Sequence, residues 1–248
     1  MIGQITVLKI GGSVLTGEHA YRRAAAFVAA RLEARPGEPV IVVVSAEIGV
    51  TDGLLATARA IVDVPDAPTL DLLWSTGELR SAALLALSLQ ALGVKASAMN
   101  VHQTGLFRTA AGAVPGDARV RPLRLRALLA DNAVVVVPGF LARGGGDAIV
   151  SLGRGGSDLT AVLLAAGLGA ARCELLKDVP GYFTADPKRD PGARPLPSLS
   201  YSHAIEMADD GCELVQRHAL EAARAHGLPL VISAIGGGAG TEIGDFPA

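Results

Sequence analysis

Hydrophobic positions in this chain gather in short unbroken runs rather than in long alternating ones. Residues 4–10, 39–44, 133–137, 173–176 and 228–233 are rich in Val, Ile and Leu. A continuous apolar run of that length is what a strand buried on both faces requires. A further short strand is expected over 94–99, and Thr241-Glu242-Ile243 closes the chain's apolar segments. Between the runs lie segments with helical character: 18–35, 70–92 with an interruption near Ser75-Thr76-Gly77-Glu78, 119–129, 158–167, 202–209 and 214–226. Loops are expected over 62–69 and 100–108, a glycine-rich hairpin over 143–147, a long Pro/Arg/Asp-rich loop from 178 to 197, and a flexible segment over 236–240. Buried strands alternating with helices predict parallel βαβ units and a sheet covered on both faces. No period of about 20–50 residues stands out, which argues against a solenoid.

Composition narrows the class. With 248 residues, half of them hydrophobic, the chain suffices for one large domain or two small lobes. A net charge of −2 and the lack of a face-wide basic run argue against nucleic acid as the main partner. The two cysteines, Cys173 and Cys212, lie far apart without metal-ligand spacing, which fits a reduced, cytoplasmic setting. The N-terminus reads as a strand rather than a signal segment, and uncharged runs such as 81–94 are too short to span a bilayer, so no membrane association is expected.

The chemistry concentrates where strands end. The central stretch is Ser151-Leu152-Gly153-Arg154-Gly155-Gly156-Ser157-Asp158, which opens the helix expected over 158–167. Glycines let backbone approach a ligand closely, and exposed N–H groups at a helix start attract anions. Arg154 offers a planar, permanently charged fork for a carboxylate or phosphate, and Asp158 can cap the helix or face a reacting group. The bland alternative is a glycine-rich turn with a solvated Arg and a capping Asp. At the first strand's end, Lys9 precedes Gly11-Gly12-Ser13, a candidate phosphate-cradling turn without the Gly-Lys-Ser/Thr ending of a P-loop. Ser45 and Thr51 follow the second strand, as ligand contacts or simply as turn and cap residues. Glu78 is either a carboxylate at a cleft edge or an ordinary exposed helix residue.

Taken together, the pieces resemble the amino acid kinase family, and within it the catalytic domain of aspartate kinase. The resemblance rests on Lys9-Ile10-Gly11-Gly12-Ser13, Val44-Ser45-Ala46 with Gly49-Val50-Thr51-Asp52, Gly77-Glu78, and Leu152-Gly153-Arg154-Gly155-Gly156-Ser157-Asp158. It continues through Asp178-Val179-Pro180-Gly181 with Thr184-Ala185-Asp186-Pro187 and ends at Gly240-Thr241-Glu242-Ile243. These motifs occur in the family's order over nearly the whole chain. The resemblance implies a single domain over 1–248 with a three-layer α/β/α sandwich and an open, mostly parallel sheet, the carbamate kinase-like fold. Its N-terminal part would bind the acceptor, and the part from about residue 150 the nucleotide. It also implies transfer of the ATP γ-phosphoryl group to the side-chain carboxylate of L-aspartate or a related amino acid, yielding an acyl phosphate. Such a transfer needs alignment and cations more than covalent help.

By matched position, the resemblance places Lys9 on the transferred phosphate and Gly11, Gly12 and Ser13 around the phosphates. Ser45 and Thr51 would touch the acceptor, Glu78 would pair with its α-ammonium, and Arg154 would grip its α-carboxylate. Asp158 would orient Lys9 or the acceptor; Lys177, Asp178, Phe183 and Asp186 would surround the nucleotide. Mg²⁺ would be held by phosphates and water, with no protein ligand named. A homodimer is implied. The absence of ACT regulatory domains up to Ala248 suggests a stand-alone kinase or a catalytic subunit with a separate regulatory partner.

Departures from the pattern keep two other readings in view: a kinase of this fold acting on a different acid or a phosphate monoester, and a non-catalytic nucleotide- or oxyanion-binding protein. Ser13-Val14 stands where Thr-Ser is usual, Lys177 where Thr or Ser is usual, and Phe183 where Tyr is usual. Gly211-Cys212-Glu213 replaces Gly-Ala-Lys, reversing a charge, and Gln216-Arg217 replaces His-Pro. Lys177 is the candidate to restore the missing cation.

Overall fold

The structure is a computed structural model describing residues 4–108, 118–187, 189–238 and 240–245. Its main sheet has eight strands: β1 (Thr6–Ile10), β2 (Val40–Val44), β3 (Ala96–Ala98), β6 (Val134–Pro138), β9 (Cys173–Lys177), β10 (Ser198–Leu199), β11 (Leu230–Ala234) and β12 (Thr241–Ile243). They lie in the order β10-β12-β11-β9-β1-β2-β6-β3, and only the β11/β12 pairing is antiparallel. A second sheet, β5-β4-β7-β8, is built from β4 (Leu106–Arg108), β5 (Ala118–Val120), β7 (Leu141–Arg143) and β8 (Ile149–Ser151). Seven α-helices complete the described residues: α1 (Glu18–Ala34), α2 (Val50–Ile61), α3 (Ala67–Gln90), α4 (Leu123–Asp131), α5 (Gly156–Leu168), α6 (Tyr201–Asp209) and α7 (Arg217–Ala225).

Alternation along each strand divides the core in two. Leu8, Ile10, Val40, Val42, Val44, Val134 and Val136 join one cluster, with residues of α1 and α3. Val7, Ile41, Val43, Val135, Val137 and Leu175 join the other, with residues of α5 and α7. Each fully buried Val or Leu side chain stabilises the sandwich by about 1.5–3 kcal/mol. The expected three-layer α/β/α architecture with a mostly parallel sheet is therefore the one found.

Several local expectations give way. The helix expected over 119–129 starts only at Leu123, because Ala118–Val120 pairs antiparallel with β4. The helix expected over 214–226 starts at Arg217, with Gln216 as its N-cap. The third helix runs unbroken through Ser75-Thr76-Gly77-Glu78. Gly77 is there for closeness: a Cβ would lie 3.0 Å from the Ala46 Cβ and 3.1 Å from the Val50 Cγ1. The polar segment after β2 leads into α2, a helix that the run of Ser, Gly and Thr did not announce. No helix among the described residues is long and apolar enough to cross a membrane.

Candidate functional site

Parallel pairing brings the carboxyl ends of β9, β1, β2 and β6 to one edge of the sheet. Lys9 lies level with Leu175 of β9 and shares its face; Lys177 lies two residues further on and returns to that face. The two ammonium groups thus project on the side covered by α5. Asp158 stands in the first turn of α5, where the helix dipole favours a carboxylate. It accepts Lys9 Nζ at Oδ1 (2.9 Å) and Lys177 Nζ at Oδ2 (2.8 Å). Burial works against the charged carboxyl, but the two lysines outweigh it and hold its pKa at about 2. Burial also lowers the pKa of Lys9, with the attraction of Asp158 opposing that trend.

Two close backbone approaches shape the surrounding loops. A Cβ on Gly12 would lie 2.2 Å from the Ala46 carbonyl oxygen, so the turn after β1 can nest against the turn after β2 only without a side chain. Gly155, the left-handed N-cap of α5 (φ 73°), leaves room for the Gln216 side chain, whose Cγ would be 2.3 Å from an added Cβ. Ser13 Oγ donates to Asp178 Oδ1 at 3.3 Å, tying the first glycine turn to the loop after β9.

Lys9, Ser45, Thr51, Glu78, Arg154 and Asp158 all line one cavity of about 430 Å³. Lys9 and Arg154 therefore open onto a common space. Glu78 is 3 % exposed. Its Oε1 accepts the Ala46 N–H at 3.2 Å, while Oε2 has no hydrogen-bond partner among the described residues. Burial raises its pKa to about 7, with the Ala46 N–H pulling the other way. Arg154 is exposed and carries no ion pair among the described residues. Phe183 and Asp186 line a different cavity, of about 510 Å³, with Tyr182, Met207, Cys212 and Leu214. Glu213 is exposed beside it.

Three cavity residues escaped sequence reasoning: Leu55, Trp74 and Phe140. Trp74 stands four residues before Glu78, one helical turn, and that spacing was a usable signal. Phe140 adopts φ 68°, a left-handed conformation uncommon for an aromatic residue, and nothing in its neighbours foretells it.

This sheet edge, lined by glycine turns, lysines and a buried carboxylate, sits on an α/β sandwich whose family is recognisable by comparison with known proteins. Residues 4–233 match the sequence model described as the Amino acid kinase family, and the chain belongs to that family. Among its relatives, the aspartokinase of Mycolicibacterium smegmatis is 37% identical over 228 residues, covering 91% of this chain and 53% of that protein. The aspartokinase of Corynebacterium efficiens is 38% identical over 231 residues, again 91% and 53%. The crystal structure of aspartate kinase from Synechocystis superposes with a TM-score of 0.87 at 33% identity, over 98% of this chain and 40% of that one. The chain thus spans about half the length of the curated relatives it matches. A UMP kinase from Bacillus anthracis shares the fold at 18% identity (TM-score 0.68), so the fold alone does not choose the acceptor.

Proposed function

We propose that this chain catalyses ATP-dependent phosphorylation of the side-chain carboxylate of L-aspartate. The observation that carries this reading is the cavity of about 430 Å³, where the Glu78 oxygen and the Arg154 guanidinium, both without a partner among the described residues, and the Lys9–Asp158 pair face one space. An α-amino acid presents the complementary set: an ammonium for Glu78, an α-carboxylate for the Arg154 fork, and a second carboxylate to reach the phosphate near Lys9. A phosphate monoester would instead set a dianion against Glu78.

In the proposed reaction a side-chain carboxylate oxygen attacks the γ-phosphorus, the bond to the bridging oxygen of ADP breaks, and no general base is required. The attacking carboxylate is already ionised at neutral pH. Lys9 and Lys177 share one Asp158 carboxylate, so the trio carries a net positive charge. That surplus favours the spreading negative charge of phosphoryl transfer. Lys177 then restores the cation that the Glu213 segment lacks. Gly11, Gly12 and Ser13 form the turn that Ser13 Oγ ties to Asp178, and these residues are assigned to the phosphates, while Phe183 with Met207 and Leu214 offers an apolar seat for a nucleobase. Mg²⁺, with its preference for phosphate oxygens and water, would be held mainly by the nucleotide's phosphates. Bound there, Mg²⁺ would supply charge neutralisation to the phosphates.

The test is incubation with ATP, Mg²⁺ and a panel of acids, trapping acyl phosphate with hydroxylamine. A hydroxamate with aspartate supports the proposal. A phosphate-ester product, or nucleotide binding without turnover of any acid, overturns it.

A further inference from the structure

The acceptor cavity has an aromatic wall that the proposed reaction does not explain. Trp74 and Glu78 lie four residues apart on α3, so their side chains project from one face, about 6 Å apart along the axis. Both line the cavity. The Trp74 ring meets the Phe140 ring edge-on, with centroids 5.9 Å apart and planes at 67°. Its indole Nε1 donates to the Thr51 carbonyl at 3.2 Å, in the first turn of α2. Phe140 in turn accepts the Leu152 N–H at its carbonyl (2.7 Å), and a Cβ on Gly156 would touch its ring at 3.1 Å. The wall therefore runs from the helix that carries Glu78 to the loop that carries Arg154. With Leu55 added from α2, it flanks the groups assigned to the two α-substituents of the acceptor.

We infer that Trp74 is a specificity-determining residue that limits the bulk tolerated at the α-carbon and amino nitrogen of the acceptor. The inference rests on the acceptor reading above and deepens it. A tryptophan held by a hydrogen bond and a ring contact is a fixed wall with few rotamers, unlike a leucine or methionine that could swing aside. Charge complementarity at Glu78 and Arg154 is indifferent to one added methyl group, whereas a rigid wall is not. The proposed reaction assigns the side-chain end of the acceptor to Lys9 and its α-substituents to Glu78 and Arg154, so Trp74, one turn from Glu78, should discriminate at the α end and not by chain length.

The test compares L-aspartate with N-methyl-L-aspartate and α-methyl-L-aspartate, which keep both charges and add one methyl group beside the wall. L-Glutamate, lengthened at the other end, is the control. In Trp74→Ala the kcat/KM of a methylated acceptor relative to aspartate should rise at least tenfold, mainly through KM, while the glutamate ratio stays within about twofold. Trp74→Phe, which keeps an aromatic wall, should restore most of the discrimination and guards against a folding defect in the alanine variant. Trp74 is also the chain's single tryptophan, so aspartate binding should change its emission with the same saturation as KM. An unchanged methyl ratio, or an equal rise for glutamate, overturns the inference while leaving aspartate kinase activity standing. Wild-type protein that phosphorylates no amino acid and shows no emission change overturns the acceptor reading, and this inference with it.

Discussion

Glu78 permits a quantitative forecast. Its carboxyl is buried, has one oxygen without a partner among the described residues, and is pushed up to about 7. An acceptor ammonium binds only the ionised form. The apparent affinity for aspartate should then follow the ionised fraction, which is about one in eleven at pH 6 and about ten in eleven at pH 8. KM for aspartate at saturating ATP should therefore fall about tenfold between pH 6 and pH 8, or about 1.4 kcal/mol of binding energy. The side-chain carboxyl of aspartate is ionised throughout this window and adds no slope of its own. A coupled ADP-release assay over that pH range measures it, and Glu78→Gln should bind more weakly at pH 8 and lose the slope. Calorimetry in buffers of different ionisation enthalpy should record about half a proton released on binding at pH 7. A flat KM in the wild type, or a slope that survives in Glu78→Gln, would refute the assignment of Glu78 to the ammonium.

The same group sets a stability prediction. A carboxyl whose folded pKa (about 7) exceeds its intrinsic value (4.5) costs almost nothing at pH 4, destabilises progressively as pH rises from about 4.5 to 7, and reaches its full penalty above 7. Glu78→Gln should accordingly gain about 1–3 kcal/mol relative to wild type between pH 5 and pH 8, measured by urea unfolding; a pH-independent difference would contradict the shift. Asp158→Asn should cost about 3–5 kcal/mol by the same measurement, because Lys9 and Lys177 lose a shared buried partner. Lys177→Ala should lower kcat about 10²–10³-fold at saturating ATP with the fold intact by circular dichroism, and unchanged ATP turnover would exclude it from the phosphate site. Gly12→Ala should destabilise the chain by at least about 2 kcal/mol in thermal melts, since its Cβ would meet the Ala46 oxygen at 2.2 Å; a neutral outcome would mean the two turns separate freely.

What the sequence determined by itself was the frame and the list of chemical parts. Unbroken Val and Ile runs can satisfy themselves only between two helical layers, so β1, β2 and β6 were legible from hydropathy. Glycine turns at strand ends and the Gly-Arg-Gly-Gly-Ser-Asp motif carry their own backbone reasons. Of the second sheet only the hairpin turn over 143–147 was legible; its three-residue strands were not, because so short a segment has no period to read and is held by its neighbours. Pairing, face and burial belonged to the tertiary structure alone. Register put Lys177 on the face of Lys9, α5 delivered Asp158 between them, and packing of α3 against the Ala46 turn buried Glu78 and raised its pKa. A charge acquires its working protonation state from the water it loses and the partners it gains, and both come from residues distant along the chain.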